Sequence, residues 1–279
     1  MKATYHSDQL DHRQLAATPF PGGVATPPTE AHSLTENRTT TMQLAPSLNR
    51  LGTSSLVNSY IVEEGGRLTV IDTGLPGHWK ELQKELVAMG RTPADIRAVI
   101  LTHGDIDHVG FAERLRRDHG VPVWVHPLDA SEARGETKKP PAPRDAMRIG
   151  PMISFMVYAM RLGGFRRHPL KEVMTFEPGA TLDVPGSPRV IAMAGHTPGS
   201  VAYHFAGVDA LFVGDAMTTR SVVTGKVGAA LGPFTVDRAK TLESLAALDG
   251  VSAKWVLPGH GPAWTEGVAE AVRAIRAQG

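Results

Sequence analysis

Thr102-His103-Gly104-Asp105-Ile106-Asp107-His108 packs four metal-type side chains, His103, Asp105, Asp107 and His108, into six residues. Charges this close repel one another unless a cation sits among them, so the density suggests a preassembled metal centre. Three further residues of the same chemistry each follow an apolar run and sit beside glycine or a turn. They are His196 in Ala194-Gly195-His196-Thr197-Pro198-Gly199-Ser200, Asp215 after Phe212-Val213-Gly214, and His260 in Val256-Leu257-Pro258-Gly259-His260-Gly261. Asp72 closes an earlier apolar run, before Thr73-Gly74. A single aspartate or histidine in such a place is often a helix-start cap. Several in succession form a pattern of chemistry gathered at strand ends.

The surrounding elements must hold these groups, and they alternate as an α/β chain. Apolar stretches 56–62 and 67–72 flank Gly65-Gly66, a hairpin signal. Helical spacing runs over 78–89 and stops at Gly90. A short buried strand, 97–101, leads straight into the His103–His108 motif, which places the motif at a strand's C-terminal end. A helix over 109–119 closes at Gly120, and a strand over 121–125 follows. Residues 127–176 differ in character. Pro140-Pro141-Ala142-Pro143 breaks the chain, and 147–162 reads as an apolar helix carrying Met147, Met152, Met156 and Met160, ended by Gly163-Gly164. Strand signals return over 181–184, 189–194, 200–205 and 210–213. A helix over 237–248, a strand over 254–257 and a last helix from Thr265 complete the order. This succession predicts two sheets with helices outside, in one domain over 42–279. Residues 1–41, rich in Thr, Pro, Ser and Gly, are expected to form a disordered extension.

Composition removes several classes of function. Among 279 residues there is no cysteine, so disulfides, thiolate zinc sites and cysteine nucleophiles are out. A net charge of +1 offers no clustered basic footprint for nucleic acid. No apolar run approaches the ~18 residues of a membrane span, and the N-terminus lacks a signal-type stretch. A cytoplasmic protein acting on a small molecule, without nucleic-acid or membrane partners, is expected. No G-x-S-x-G elbow is present for serine-hydrolase chemistry.

The combined motifs resemble the metallo-β-lactamase-fold hydrolase superfamily, whose hallmark is H-x-H-x-D-H followed by a distant His, Asp and His. The resemblance covers residues 42–279. It implies an αβ/βα four-layer sandwich with a site along one sheet edge and 127–176 as a helical lid insertion over it. It implies two divalent metal ions, zinc foremost and iron or manganese as alternatives. One would be held by His103, Asp105 and His196, the other by Asp107, His108 and His260, with Asp215 bridging and Asp72 in support. The implied activity is hydrolysis of an ester, thioester, lactone or amide carbonyl by metal-bound hydroxide, with Asp107 orienting the nucleophile and shuttling a proton. A Met-rich lid would suit an apolar substrate.

The chain departs from the family norm at Asp105, where histidine is usual and flavodiiron proteins carry a glutamate. Asp105 would add a negative charge that brings a dinuclear core with Asp107, Asp215 and one hydroxide to neutrality. Bound water would then be harder to deprotonate than the ~7 of activated zinc water, and harder metals would be favoured. The missing cysteine excludes the B1 and B2 β-lactamases. Thr218 stands where acyl-homoserine lactonases commonly carry tyrosine. Two other classes stay open: an iron-dependent redox enzyme with a flavodiiron-like site, and a non-catalytic metal-dependent binding module.

Overall fold

A computed structural model describes residues 42–143, 146–166, 168–177 and 179–278. The N-terminal extension expected over 1–41 lies outside the described residues. The first sheet has seven strands in chain order: β1 (Met42–Ala45), β2 (Leu48–Arg50), β3 (Tyr60–Glu64), β4 (Arg67–Ile71), β5 (Ile96–Ile100), β6 (Val123–Val125) and β7 (Met174–Thr175). Strands β1 to β4 pair antiparallel, and β4 to β7 pair parallel. The second sheet contains β8 (Arg189–Ala192), β9 (Val201–Phe205), β10 (Ala210–Gly214) and β13 (Trp255–Pro258), in the order β13-β10-β9-β8. A small antiparallel pair, β11 (Thr218–Arg220) with β12 (Val227–Ala230), stands apart.

The β3–β4 hairpin turns at Gly65 and Gly66, both in the left-handed region at φ 56° and 76°, where glycine carries no Cβ penalty. The central parallel strands β4 and β5 are buried along most of their length, so their sequences are mainly apolar rather than alternating. Between the sheets pack Val62, Ile71 and Ile100 from the first and Tyr203, Phe205, Phe212 and Leu257 from the second. The outer face of the first sheet is covered by α1 (Trp79–Ala88) and α2 (Ala112–His119). Helix α1 buries Trp79, Leu82 and Leu86 along one side. Fully burying such a side chain stabilises by roughly 1.5–3 kcal/mol. The outer face of the second sheet is covered by α5 (Arg238–Ser244), the 3-10 turn Leu245–Leu248 and α6 (Val268–Arg276). Helix α6 buries Val268, Ala271, Val272 and Ile275 at helical spacing. Helix, sheet, sheet, helix is the αβ/βα four-layer sandwich.

Within residues 127–176 the short helix α3 (Ala130–Ala133) and the longer α4 (Ile149–Arg161) precede β7, which returns to the edge of the first sheet. Helix α4 docks through Phe155, Tyr158 and Ala159, with Leu162 just past its end, onto Val57 and Leu75. Beneath it His78 is buried. Its Nδ1 accepts a hydrogen bond from the Leu75 backbone N–H at 2.9 Å, and its Nε2 lies 2.8 Å from the Tyr158 hydroxyl. Ile149, Ile153 and Met160 on the outer side of α4 are exposed.

The strand expected over 181–184 is not an extended strand; only Thr181 bridges to Arg189. Pro185 and a turn at Gly186 and Ser187, both at positive φ, end the run before it can pair. Strands β1, β2, β11 and β12 are too short to have shown a period. No helix among the described residues is long and apolar enough to cross a membrane.

Candidate metal centre

Four strands of the two sheets end at one edge and deliver the singled-out residues there. Strand β5 runs into the loop carrying His103, Asp105, Asp107 and His108. Strand β8 leads to the His196 turn, β10 to Asp215 and β13 to His260. The loops are stitched together by backbone bonds from Val201 N–H to Thr102 C=O at 3.0 Å and from Gly259 N–H to Gly214 C=O at 2.9 Å. Two glycines permit this closeness. Gly214 has φ 51°, and a Cβ there would strike Thr102 Oγ1; a Cβ on Gly259 would strike Asp215 Oδ1 and the His108 ring.

Two donor sets result. His103, His196 and Asp215 form one, and Asp107, His108 and His260 the other, with the ligand atoms of each set within 4.8 Å of one another. Asp215 lies between them. Its Oδ1 is 3.6 Å from His108 Nε2, and its Oδ2 is 3.7 Å from His196 Nε2 and 3.0 Å from His260 Nε2. Asp107 Oδ2 is 3.5 Å from His260 Nε2. Asp105 reaches the same cavity, with Oδ2 3.5 Å from His103 Nε2 and 3.1 Å from His196 Nε2.

The outward-facing ring nitrogens are all engaged. His108 Nδ1 lies 2.8 Å from Asp72 Oδ2, and His103 Nδ1 lies 2.9 Å from Thr102 Oγ1. The Thr102 hydroxyl in turn donates to Asp72 Oδ2 at 2.7 Å, and Asp72 Oδ1 accepts from the Thr102 N–H at 2.7 Å. His196 Nδ1 faces Thr235 Oγ1 at 3.2 Å, and His260 Nδ1 bonds to the Leu56 carbonyl. Such partners fix the tautomer and turn Nε2 inward. There, His103 Nε2, His108 Nε2 and Asp215 Oδ1 are buried with no hydrogen-bond partner among the described residues. Buried polar atoms are rarely left so. Convergent, unpartnered imidazole nitrogens around a shared carboxylate fit divalent cations.

The electrostatics agree. Burial opposes charge on His108 and His260, yet Asp72 and Asp215 lift His108 to about 10, and Asp215 lifts His260 to about 9. Burial likewise opposes the Asp215 carboxylate, and His260 and His108 overcome it, holding that carboxyl well below its ordinary range. The pocket's carboxylates demand positive charge, which divalent ions would supply.

The sequence model of the metallo-beta-lactamase superfamily matches residues 52–260, from the β2–β3 connection to the last histidine of the site. The chain belongs to the metallo-β-lactamase superfamily. An uncharacterized protein of Mycobacterium tuberculosis is 31% identical over 218 residues, covering 75% of this chain and 88% of that protein. The probable metallo-hydrolase YflN of Bacillus subtilis is 26% identical over 230 residues, covering 75% of this chain and 82% of YflN. Among solved structures, TTHA1623 in a di-iron-bound form superposes with a TM-score of 0.55 at 26% identity, covering 81% of this chain and 96% of that one. The metallo-beta-lactamase family protein TTHA1429 of Thermus thermophilus superposes with a TM-score of 0.60 at 22% identity, covering 85% of this chain and 80% of that one.

This metallo-β-lactamase superfamily site holds two residues that motif reading passed over. Asp129, fully buried, accepts from the Gly104 N–H at 3.1 Å, the Gly199 N–H at 2.8 Å and the Thr197 hydroxyl at 2.6 Å. It locks the His103–His108 loop to the His196 turn. Its signal was that of Asp72, an aspartate just past a strand end. Lys139, from the segment before Pro140, places Nζ 2.6 Å from Asp105 Oδ2 and 2.7 Å from His196 Nε2. His126 lies off the site and accepts from the Leu128 N–H at 3.2 Å, a local turn contact. A cavity of about 610 Å³ opens above Asp105, Asp107, Asp215 and His260, walled by Leu75, Phe155, Met156, Phe165, Val222 and Phe234.

Proposed function

We propose that the chain is a divalent-metal-dependent hydrolase of a small acyl substrate with an apolar portion, cleaving an ester, thioester, lactone or amide carbonyl. The observation that carries this reading is the pair of converging donor sets at the floor of an apolar-walled cavity. Membership of a superfamily with a probable metallo-hydrolase among its 26%-identical relatives supports it. His103, His196 and Asp215 would hold one ion, and Asp107, His108 and His260 the other, with Asp215 shared. Bound there, divalent ions activate water and polarise the substrate carbonyl. Zinc is the leading ion for this imidazole-rich set, and the di-iron form of the similar TTHA1623 makes iron the rival to test.

The protein's own groups do the rest. Asp107 sits at the cavity floor with its carboxylate partly open, placed to orient a water and pass its proton to the leaving group. Phe155 and Met156 from α4, with Phe165 and Phe234, surround the substrate's apolar part and exclude water. Helix α4 acts as the lid of the cavity. The test is to strip the protein with a chelator and reload it with zinc, manganese or iron. Each form is then assayed on a panel of esters, thioesters, lactones and amides of increasing acyl length. Metal-dependent turnover that improves with acyl length is the expected result. A reloaded protein inert on the whole panel would overturn the reading.

A further inference from the structure

We propose that Lys139 is a tethered cation lodged in the first donor set, so that the chain holds one divalent ion tightly and the second only weakly. The inference rests on reading the site as a metal centre. The Lys139 ammonium lies 2.6 Å from Asp105 Oδ2 and 2.7 Å from His196 Nε2, with its side chain only 16% exposed. Both distances are those of charge-assisted hydrogen bonds, not of coordination at about 2.0–2.2 Å.

The tautomer of His196 makes the contact exclusive. Thr235 donates its hydroxyl proton to the Gly232 carbonyl at 2.7 Å, so its oxygen is left to accept from His196 Nδ1. His196 Nδ1 therefore carries the ring proton, and Nε2 has a single lone pair. An ammonium proton or a metal ion can take that lone pair, and the two cannot share it. Asp105 is engaged in the same way, because its Oδ2 is the Lys139 acceptor.

The departure at position 105 then has a partner. A histidine there would face the ammonium with no charge to hold it. Aspartate forms a buried ion pair, in which the Lys139 ammonium neutralises the added carboxylate and stands against His196 Nε2 where a first ion would sit. The second donor set is free of such an intruder. Among the described residues no lysine or arginine pairs with Asp107, His108 or His260, and His108 Nε2 and Asp215 Oδ1 stay unpartnered.

The experiment is metal stoichiometry, read without any substrate. The full chain is stripped with a chelator, saturated with zinc and desalted, and its zinc content is measured by mass spectrometry beside an isothermal titration. The wild type is expected to retain one zinc per chain, with a second binding about 100-fold more weakly. Lys139→Met, which keeps length and removes charge, is expected to retain two, and Lys139→Arg to retain one. Two zinc ions held equally tightly by the wild type would overturn the proposal, and this readout stands even if Lys139→Met fails to fold. One zinc in both wild type and folded Lys139→Met would also overturn it. A wild type that binds no zinc at all would overturn the metal-centre reading as well, and so tells the two failures apart.

Discussion

Mild acid should loosen the anchoring of α4 through one histidine. Burial pushes His78 down from its ordinary 6.5 to about 4, with the Asp107 charge only partly opposing. In the folded chain the ring stays neutral because Nδ1 accepts from the Leu75 N–H, leaving Nε2–H to face the Tyr158 hydroxyl. Well above pH 6.5 neither folded nor unfolded chains protonate it, and its contribution is fully present. As pH falls from 6.5 towards 4 the unfolded chain takes up the proton first, so stability is lost as pH drops. One pKa unit corresponds to about 1.4 kcal/mol, so by pH 5 the loss reaches about 2 kcal/mol, on the order of a thirtyfold change in the folding equilibrium. Carboxylates titrate in the same range, so the measurement is a difference. Wild type and His78→Asn, whose amide oxygen can keep the Leu75 bond, are unfolded in urea at pH 7.5 and pH 5 in the presence of chelator. The variant should start less stable at pH 7.5 and lose about 2 kcal/mol less on acidification. Equal losses in the two proteins would refute the reasoning, because His78 would then titrate alike in both states.

Asp129→Ala should cost about 3 kcal/mol in urea unfolding, because it strands three buried donors, the Gly104 and Gly199 N–H groups and the Thr197 hydroxyl. Gly259→Ala should weaken zinc binding about 100-fold in a competition assay, since the new methyl collides with Asp215 and the His108 ring. Removing the metal with a chelator should lower Tm by about 10 °C, restored on adding zinc, as expected for an ion that binds only the folded chain. A Phe155→Ala, Met156→Ala double variant should raise KM for long-chain acyl substrates about tenfold with little change for short ones, measured by steady-state kinetics.

The central fold was legible because its strands are buried on both faces and its turns are marked. Leu68–Ile71 is apolar but for Thr69 and Ala98–Leu101 is apolar throughout, and Gly65-Gly66, Gly90 and Gly120 stand where positive φ closes an element. The donors were legible for a related reason: each follows a strand end. Edge strands such as Met42–Ala45 and Val227–Ala230 bury too few residues to impose a period. The segment over 181–184 looked like a strand because its apolar residues Leu182 and Val184 alternate, yet they face the inter-sheet core from a turn. Lys139 was hidden for another reason. It comes from a stretch with no regular structure, and only three-dimensional proximity to Asp105, 34 residues earlier, gives it meaning.

The donor sets straddle the two sheets. His103, Asp107 and His108 hang from the first, and His196, Asp215 and His260 from the second. Each set of three mixes the two sources, so residues 42–176 and 179–278 are each an incomplete chelator. A metal ion can be gripped firmly only after the halves of the sandwich have met. The binding energy of an ion held there would therefore add to their cohesion. Two separately produced halves should reassemble more tightly with zinc present than without, and a chelator should prise them apart.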